Sequence, residues 1–389
     1  MDVEGLRKRI PTVDAMTYLN TGWSGPSPVP VVEAIRARLE YESYNGPTST
    51  EVLESGEKRR GQAKEALASL INADPQEVLL TQSTTDGLNA VMSGLPWRDG
   101  DEIITCDLEH PSILIPCYHL QDRYGVKLRV LPVAPDEPED LILSKIEDAV
   151  TDRTRMVFLS HIEFSSGIRM PVKQIGSLVG PRGIWYLLDG AQGPGHVAVD
   201  VREIGCDFYS LPGQKWLLGP DQTGALYIRR EMIPLVTPVH VGSSAVLDYD
   251  LEGGYTPNSD DIEKFRVGTT SAPLRAGFVE GIRFVQSVGI DRIEERNLAL
   301  AAALKVRLSG VSGVRVVSPM EGPGCSGLVS FEVEGVDPTR VADALWKNDR
   351  ILVRAVSYPP AVRASLDFFN TEQEVARLAE VVRILAPHL

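Results

Sequence analysis

The octapeptide Trp185-Tyr-Leu-Leu-Asp189-Gly-Ala-Gln192 carries more structural information than any other segment of the chain. An apolar run that delivers a carboxylate into small residues describes a buried strand ending in a turn. Twenty-six residues after Asp189 comes Lys215, within Pro212-Gly-Gln214-Lys215-Trp216 and ahead of Gly219-Pro220. Outward from this pair, further strand-like runs lie at 77–81, 102–106, 128–132, 155–160, 208–210 and 224–228. Helical patterns at 86–93, 110–124 and 141–150 fall between them. Alternation of this kind predicts a parallel α/β sheet, whose chemistry gathers at the carboxyl ends of the strands.

From about residue 275 the texture changes. A long helical segment (273–287, then 289–308) leads to strands at 314–318 and 327–334, a helix at 338–347, a strand at 351–356 and a closing helix at 372–386. The expected division is an N-terminal segment (1–20) packing on the small domain or a partner, a large domain (21–272) and a small α+β domain (273–389). Two domains suit 389 residues, because single cores stop growing near roughly 250–300 residues.

With 43% hydrophobic and 24% charged residues the chain is of ordinary globular composition. A net charge of −14 argues against nucleic acid or an anionic membrane as partner. The absence of an h-region or long apolar run predicts a cytoplasmic protein. Cys106, Cys117, Cys206 and Cys325 lack CxxC spacing, and the six histidines lack ligand spacing, so reduced thiols and no metal are expected.

Taken singly, Lys215 is a solvated loop lysine and Asp189 a helix cap. In this order and spacing they point instead to pyridoxal 5′-phosphate (PLP) chemistry, which needs a carboxylate to keep the pyridine nitrogen protonated and a lysine to hold the cofactor as a Schiff base. Ser83-Thr84-Thr85-Asp86-Gly87, after a strand and opening a helix, is either a phosphate site or a plain N-cap. His110, in Leu108-Glu-His-Pro-Ser112, either stacks on an aromatic cofactor or serves as a cap or core residue.

Together these segments, from Tyr18-Leu-Asn20 to Phe368-Phe-Asn-Thr-Glu-Gln-Glu-Val375, resemble the class V aminotransferase family of fold-type I PLP enzymes, which includes the cysteine desulfurases. The resemblance implies a mostly parallel seven-stranded sheet between helices and a homodimer with shared active sites. It also implies that Lys215 is the cofactor lysine, that Asp189 pairs with the ring nitrogen, that Gln192 bonds the phenolic oxygen and that His110 stacks on the ring. By the same resemblance Thr84 and Thr85 match the phosphate turn, and Thr269 and Thr270, in Phe265-Arg-Val-Gly-Thr-Thr270, match a segment that reaches a phosphate across the dimer interface. Arg363 matches the clamp on the substrate α-carboxylate, with Arg354, Asn20 and Trp23 as further substrate-side candidates.

Departures narrow the chemistry. Gln214 replaces the family histidine before the lysine and is kept as a cofactor-binding candidate, while Pro212 replaces a phosphate-binding serine. The stretch Arg354-Ala-Val-Ser-Tyr-Pro-Pro-Ala-Val-Arg363 contains no cysteine to accept sulfur as a persulfide. Cys325, ahead of a core strand, is expected to be structural. The Glu-His-Pro segment, Asn45-Gly-Pro47 and the short loop between the arginines resemble the cysteine/cystine C–S lyase and isopenicillin N epimerase-like branches. The leading expectation is β-elimination from cysteine, cystine or an S-conjugate. An epimerase, an aminotransferase and a non-catalytic PLP-fold protein are the alternatives.

Overall fold

The computed structural model describes residues 1–386. Its large sheet has seven strands: β1 (Val78–Thr81), β2 (Glu102–Cys106), β3 (Lys127–Leu131), β4 (Thr154–Ser160), β5 (Trp185–Asp189), β6 (Phe208–Pro212) and β7 (Gly224–Ile228). They lie in the order β1-β7-β6-β5-β4-β2-β3. Only β7 runs against its neighbours; the other pairs are parallel. Successive residues of the central strands serve opposite faces. Val157 and Leu188 enter one core, and Phe158 and Leu187 the other. A sheet covered on both faces is therefore built from continuous apolar runs, as at 185–188.

Helices α1 (Val29–Asn45), α2 (Thr50–Ile71), α3 (Thr84–Gly94), α4 (Pro111–Tyr124), α5 (Glu139–Ala149) and α6 (Val172–Val179) accompany the large sheet. They are followed by α7 (Ala272–Val288), α8 (Ile290–Ser309), α9 (Pro338–Asp349) and α10 (Glu372–Leu385). Helices α1 and α2 have no counterpart among the sequence expectations. Only Val31 and Arg38 of α1 are buried, so it shows no apolar stripe of its own. It is held instead by α7, whose Gly277 allows close approach: a Cβ there would lie 2.6 Å from Ile35.

A second, antiparallel sheet contains β8 (Val314–Val316), β9 (Leu328–Val333), β10 (Arg354–Ser357) and β11 (Pro360–Ser365) in the order β8-β9-β11-β10. The single strand expected at 351–356 is divided. Ile351–Leu352 pairs in parallel with Thr17–Tyr18, whereas Arg354–Ser357 turns back at once into β11. Ser357 faces Pro360, which leaves Tyr358-Pro359 as a two-residue turn. Proline is tolerated at the first position of β11, where it interrupts little of the ladder. The N-terminal segment bridges the same sheet at Asn20–Ser365.

The two sheets meet along the turn after β4. Three consecutive carbonyls there are each taken by a serine hydroxyl: Ser330 donates to Ser165 O, Ser318 to Ser166 O at 2.5 Å and Ser326 to Gly167 O at 2.6 Å. Among the described residues, no helix is long and apolar enough to cross a membrane.

Candidate active site

Asp189 ends β5 and is buried, with Oδ1 accepting from the Ala191 N–H at 2.8 Å. Burial raises its carboxyl above the usual range, and the positive charge of Lys215 draws it part of the way back. Lys215 follows β6 in a loop folded on itself, with Gly219 N donating to Gly213 O and Leu218 N to Lys215 O. Gly25 lies against that loop, and a Cβ there would sit 2.2 Å from Lys215 O. Burial pushes the Lys215 ammonium down to about 8; Asp189 opposes the shift, and Arg363 and Arg354 add to it. A larger fraction of this amine is therefore neutral at physiological pH than of a free lysine.

Gln192 is fixed at both ends. Its Oε1 accepts from Trp216 Nε1 at 2.7 Å, and its Nε2 donates to Gly22 O at 2.9 Å. One amide N–H remains for a ligand. Trp216 in turn stacks on His196 with ring centroids 3.8 Å apart. His110 caps α4, its Nδ1 accepting from Ser112 N at 3.1 Å, while its ring meets Phe164 edge-on at 4.8 Å. Burial, helped by the charges of Lys215, Arg354 and Arg363, lowers the imidazole to about 4, so it is neutral at physiological pH.

Helix α3 starts at Thr84, two residues before the sequence expectation, behind a Ser83 cap. Thr84 is buried and its carbonyl accepts from Ser210 Oγ at 2.8 Å. Thr85 is exposed and its hydroxyl meets Ser112 Oγ at 2.9 Å. The starts of α3 and α4 thus converge, placing hydroxyls beside helix N–H groups that have no intrahelical acceptor. The sequence assigns no site role to Ser112 or Ser210, whose partners lie 27 and 126 residues away.

The opposite wall comes from the antiparallel sheet. Arg354 and Arg363 face each other across β10 and β11. Arg363 is fully buried; its Nη1 donates to Phe164 O at 2.5 Å, whereas Nε and Nη2 have no partner. Burial lowers the guanidinium to about 9. Arg354 lies 4.2 Å over the ring of Trp23, which is 55% exposed. Asn20 is buried with Oδ1 unpartnered, and so is Gln214 Oε1. Thr269 and Thr270 are exposed on the segment before α7, where Thr270 accepts from Arg275. Among the described residues, no hydrogen bond ties them to the Lys215 loop. Cys325 contacts Lys305 Nζ at 3.2 Å and Pro319 O at 3.3 Å, and the other three cysteines are buried.

These residues fit PLP. A buried carboxylate at a strand end suits the ring nitrogen, a lysine of lowered basicity suits the covalent link, and two helix starts with hydroxyls suit a phosphate. The orphaned donors of buried Arg363 call for an anion.

The family described as Aminotransferase class-V matches residues 17–378. A probable cysteine desulfurase of Methanothermobacter thermautotrophicus is 33% identical over 99% of this chain and 98% of its own length. The isopenicillin N epimerase of Amycolatopsis lactamdurans is 30% identical, covering 98% of each chain. The cystine C–S lyase C-DES, solved with its reaction product cysteine persulfide, superposes with a TM-score of 0.90 at 28% identity, over 96% of this chain and 99% of that one. A lysine-to-alanine mutant of C-DES carries glycine covalently linked to its PLP cofactor, with a TM-score of 0.90 at 27% identity over 97% of this chain and 98% of that one.

Proposed function

Because the chain belongs to the class-V aminotransferase family, we propose that it is a PLP-dependent C–S lyase that eliminates sulfur from cysteine, cystine or a larger S-conjugate. The carrying observation is the tight β10–β11 hairpin. Where a persulfide-forming enzyme needs a mobile cysteine, this chain has a two-residue Tyr358-Pro359 turn. None of its four cysteines lies in that hairpin, and three are buried.

Lys215, Asp189, Gln192, Gln214, His110, Thr84 and Thr85 would hold the cofactor, which when bound supplies an electron sink for the Cα carbanion. The two free donors of Arg363 bind the α-carboxylate bidentately and fix the Cα–H bond with respect to Lys215. The Lys215 amine takes the Cα proton, helped by its lowered basicity. The Cβ–S bond then breaks, and the sulfur leaves with its electron pair and collects a proton. Water completes the balance, so that cystine yields pyruvate, ammonia and cysteine persulfide. Neutral His110, edge-on to Phe164, gives the ring an apolar and uncharged neighbour. Arg354, Asn20 and Trp23 border the substrate.

Incubation of the PLP-loaded protein with cystine tests this directly: pyruvate release is expected. Racemised or unchanged amino acid across a panel of S-conjugates, without pyruvate, would overturn it. The epimerase relative supports a second reading, since epimerisation shares the Cα proton removal. Formation of pyridoxamine phosphate would instead mark an aminotransferase.

The same reading includes a homodimer working in the cytoplasm. Exposed Leu247, Tyr249, Leu251 and Tyr255 support an apolar face covered by a second copy. Four free thiols support a reducing compartment. Sedimentation at a mass near that of one chain would contradict the dimer.

A further inference from the structure

Behind the site lies a buried acidic cluster that the proposed chemistry does not use. Glu109 and Glu163 are 4% and 0% exposed, their carboxyl oxygens and the Cys106 thiol lie within 4.8 Å of one another, and Glu163 Oε2 has no hydrogen-bond partner. Glu109 also accepts from Ser160 N at 2.8 Å and from Ser160 Oγ at 2.6 Å. The Cys106 thiol lies 3.6 Å from Glu109 Oε1 and 3.5 Å from Glu163 Oε1. Two buried carboxyl groups this close cannot both ionise, so one must carry a proton that the pair can share. Burial raises both groups; the negative charge of Glu109 raises Glu163 further, and Asp189 adds to both.

The position of the pair gives it a purpose. Glu109 directly precedes His110, and Glu163 directly precedes Phe164. His110 and Phe164 touch edge-to-face, and the Phe164 carbonyl holds Arg363 Nη1. Beyond Phe164 the chain is seated on the antiparallel sheet by the Ser165, Ser166 and Gly167 carbonyls. Glu163 is thus the large-sheet anchor of the strap that orients Arg363.

We propose that the Glu109–Glu163 pair, joined by one shared proton, is a positioning clasp that fixes His110 on the cofactor side and the Phe164–Arg363 contact on the substrate side. This rests on the reading of the site as one that binds an amino acid beside PLP.

The test compares Glu163→Ala and Glu163→Gln in the PLP-loaded protein. Glutamine keeps the length and a donor, so it can bond a Glu109 carboxylate without a shared proton. Alanine is expected to raise KM for the amino acid about 10-fold with a smaller change in kcat, and glutamine to recover most of that loss. Infrared difference spectra near neutral pH give a readout apart from turnover. The wild type is expected to show a protonated-carboxyl band that both variants lack. Equal KM in wild type and Glu163→Ala, equal losses in the two variants, or a band retained in Glu163→Gln would each overturn the clasp. Should Glu163→Ala fail to fold, Glu109→Gln replaces it in the infrared comparison. A wild type that shows the band yet processes no amino acid sinks the lyase reading while the proton-sharing pair stands.

Discussion

The two walls of the site treat their polar groups in opposite ways. On the large-sheet wall Asp189 accepts from Ala191 N, Gln192 is held by Trp216 and Gly22, and His110 by Ser112. On the antiparallel wall two donors of Arg363 and Asn20 Oδ1 have no partner, and Arg354 rests on Trp23 alone. Orphaned buried donors cost stability, about 1–3 kcal/mol each and more when charged. Apart from Gln214 Oε1, the first wall is preorganised by the protein itself, and the second is left for a ligand to complete. Such a division suits a resident cofactor on one side and a visiting substrate on the other.

The largest effect should come from the large-sheet wall. Lys215→Ala is expected to lower kcat for pyruvate release by ~1,000-fold or more, the scale of losing a general base. A variant within 10-fold of wild type would remove Lys215 from the chemistry.

Asp189→Asn should lower kcat/KM by about 100-fold, or ~2.7 kcal/mol, and it carries a pH signature. In the proposed role, only the neutral Lys215 amine would attack PLP. In the wild type, recombination of the apo-protein with PLP should accelerate as pH rises and level off above about 8. Asp189 raises the lysine's proton affinity, so its neutralisation should move that midpoint lower. An upward move would reverse the electrostatic assignment.

On the other wall, Arg363→Lys keeps the charge but loses the planar fork. KM should rise by roughly 30–100-fold with kcat changed only a few-fold, within the ~2–5 kcal/mol cost of breaking a buried charge pair. A loss confined to kcat would make the two walls alike and break the contrast. Trp23→Ala removes the support under Arg354 and should raise KM several-fold, in line with ~0.5–2 kcal/mol for a cation–π contact. Steady-state kinetics with cystine read both.

Much of the large-sheet wall was legible. The run at 185–189 and the small residues after it fixed a strand and its carboxylate, because local pattern and tertiary role coincide there. Helix α3 begins two residues before the expected pattern, because Thr84 and Thr85 add no apolar periodicity and enter the helix through the Ser83 cap. The antiparallel wall was poorly legible. Pro359 and Pro360 speak locally for a loop; Pro359 does lie in the turn, but pairing with β10 makes Pro360 the first residue of β11. Pairings such as Glu109–Glu163 and Thr84–Ser210 join distant residues by folding alone, and no spacing announces them.

The serine seam has a consequence for how much length this chain can tolerate. Carbonyls 165, 166 and 167 are consecutive, yet they are claimed by hydroxyls from Ser330 in β9, Ser318 after β8 and Ser326 just before β9. Point substitutions there would each cost one bond. Adding or deleting one residue in the turn would shift every carbonyl off its hydroxyl together and carry the Phe164 oxygen away from Arg363. Exposed loops elsewhere absorb such changes at small entropic cost, but this turn works as a ruler between the two sheets.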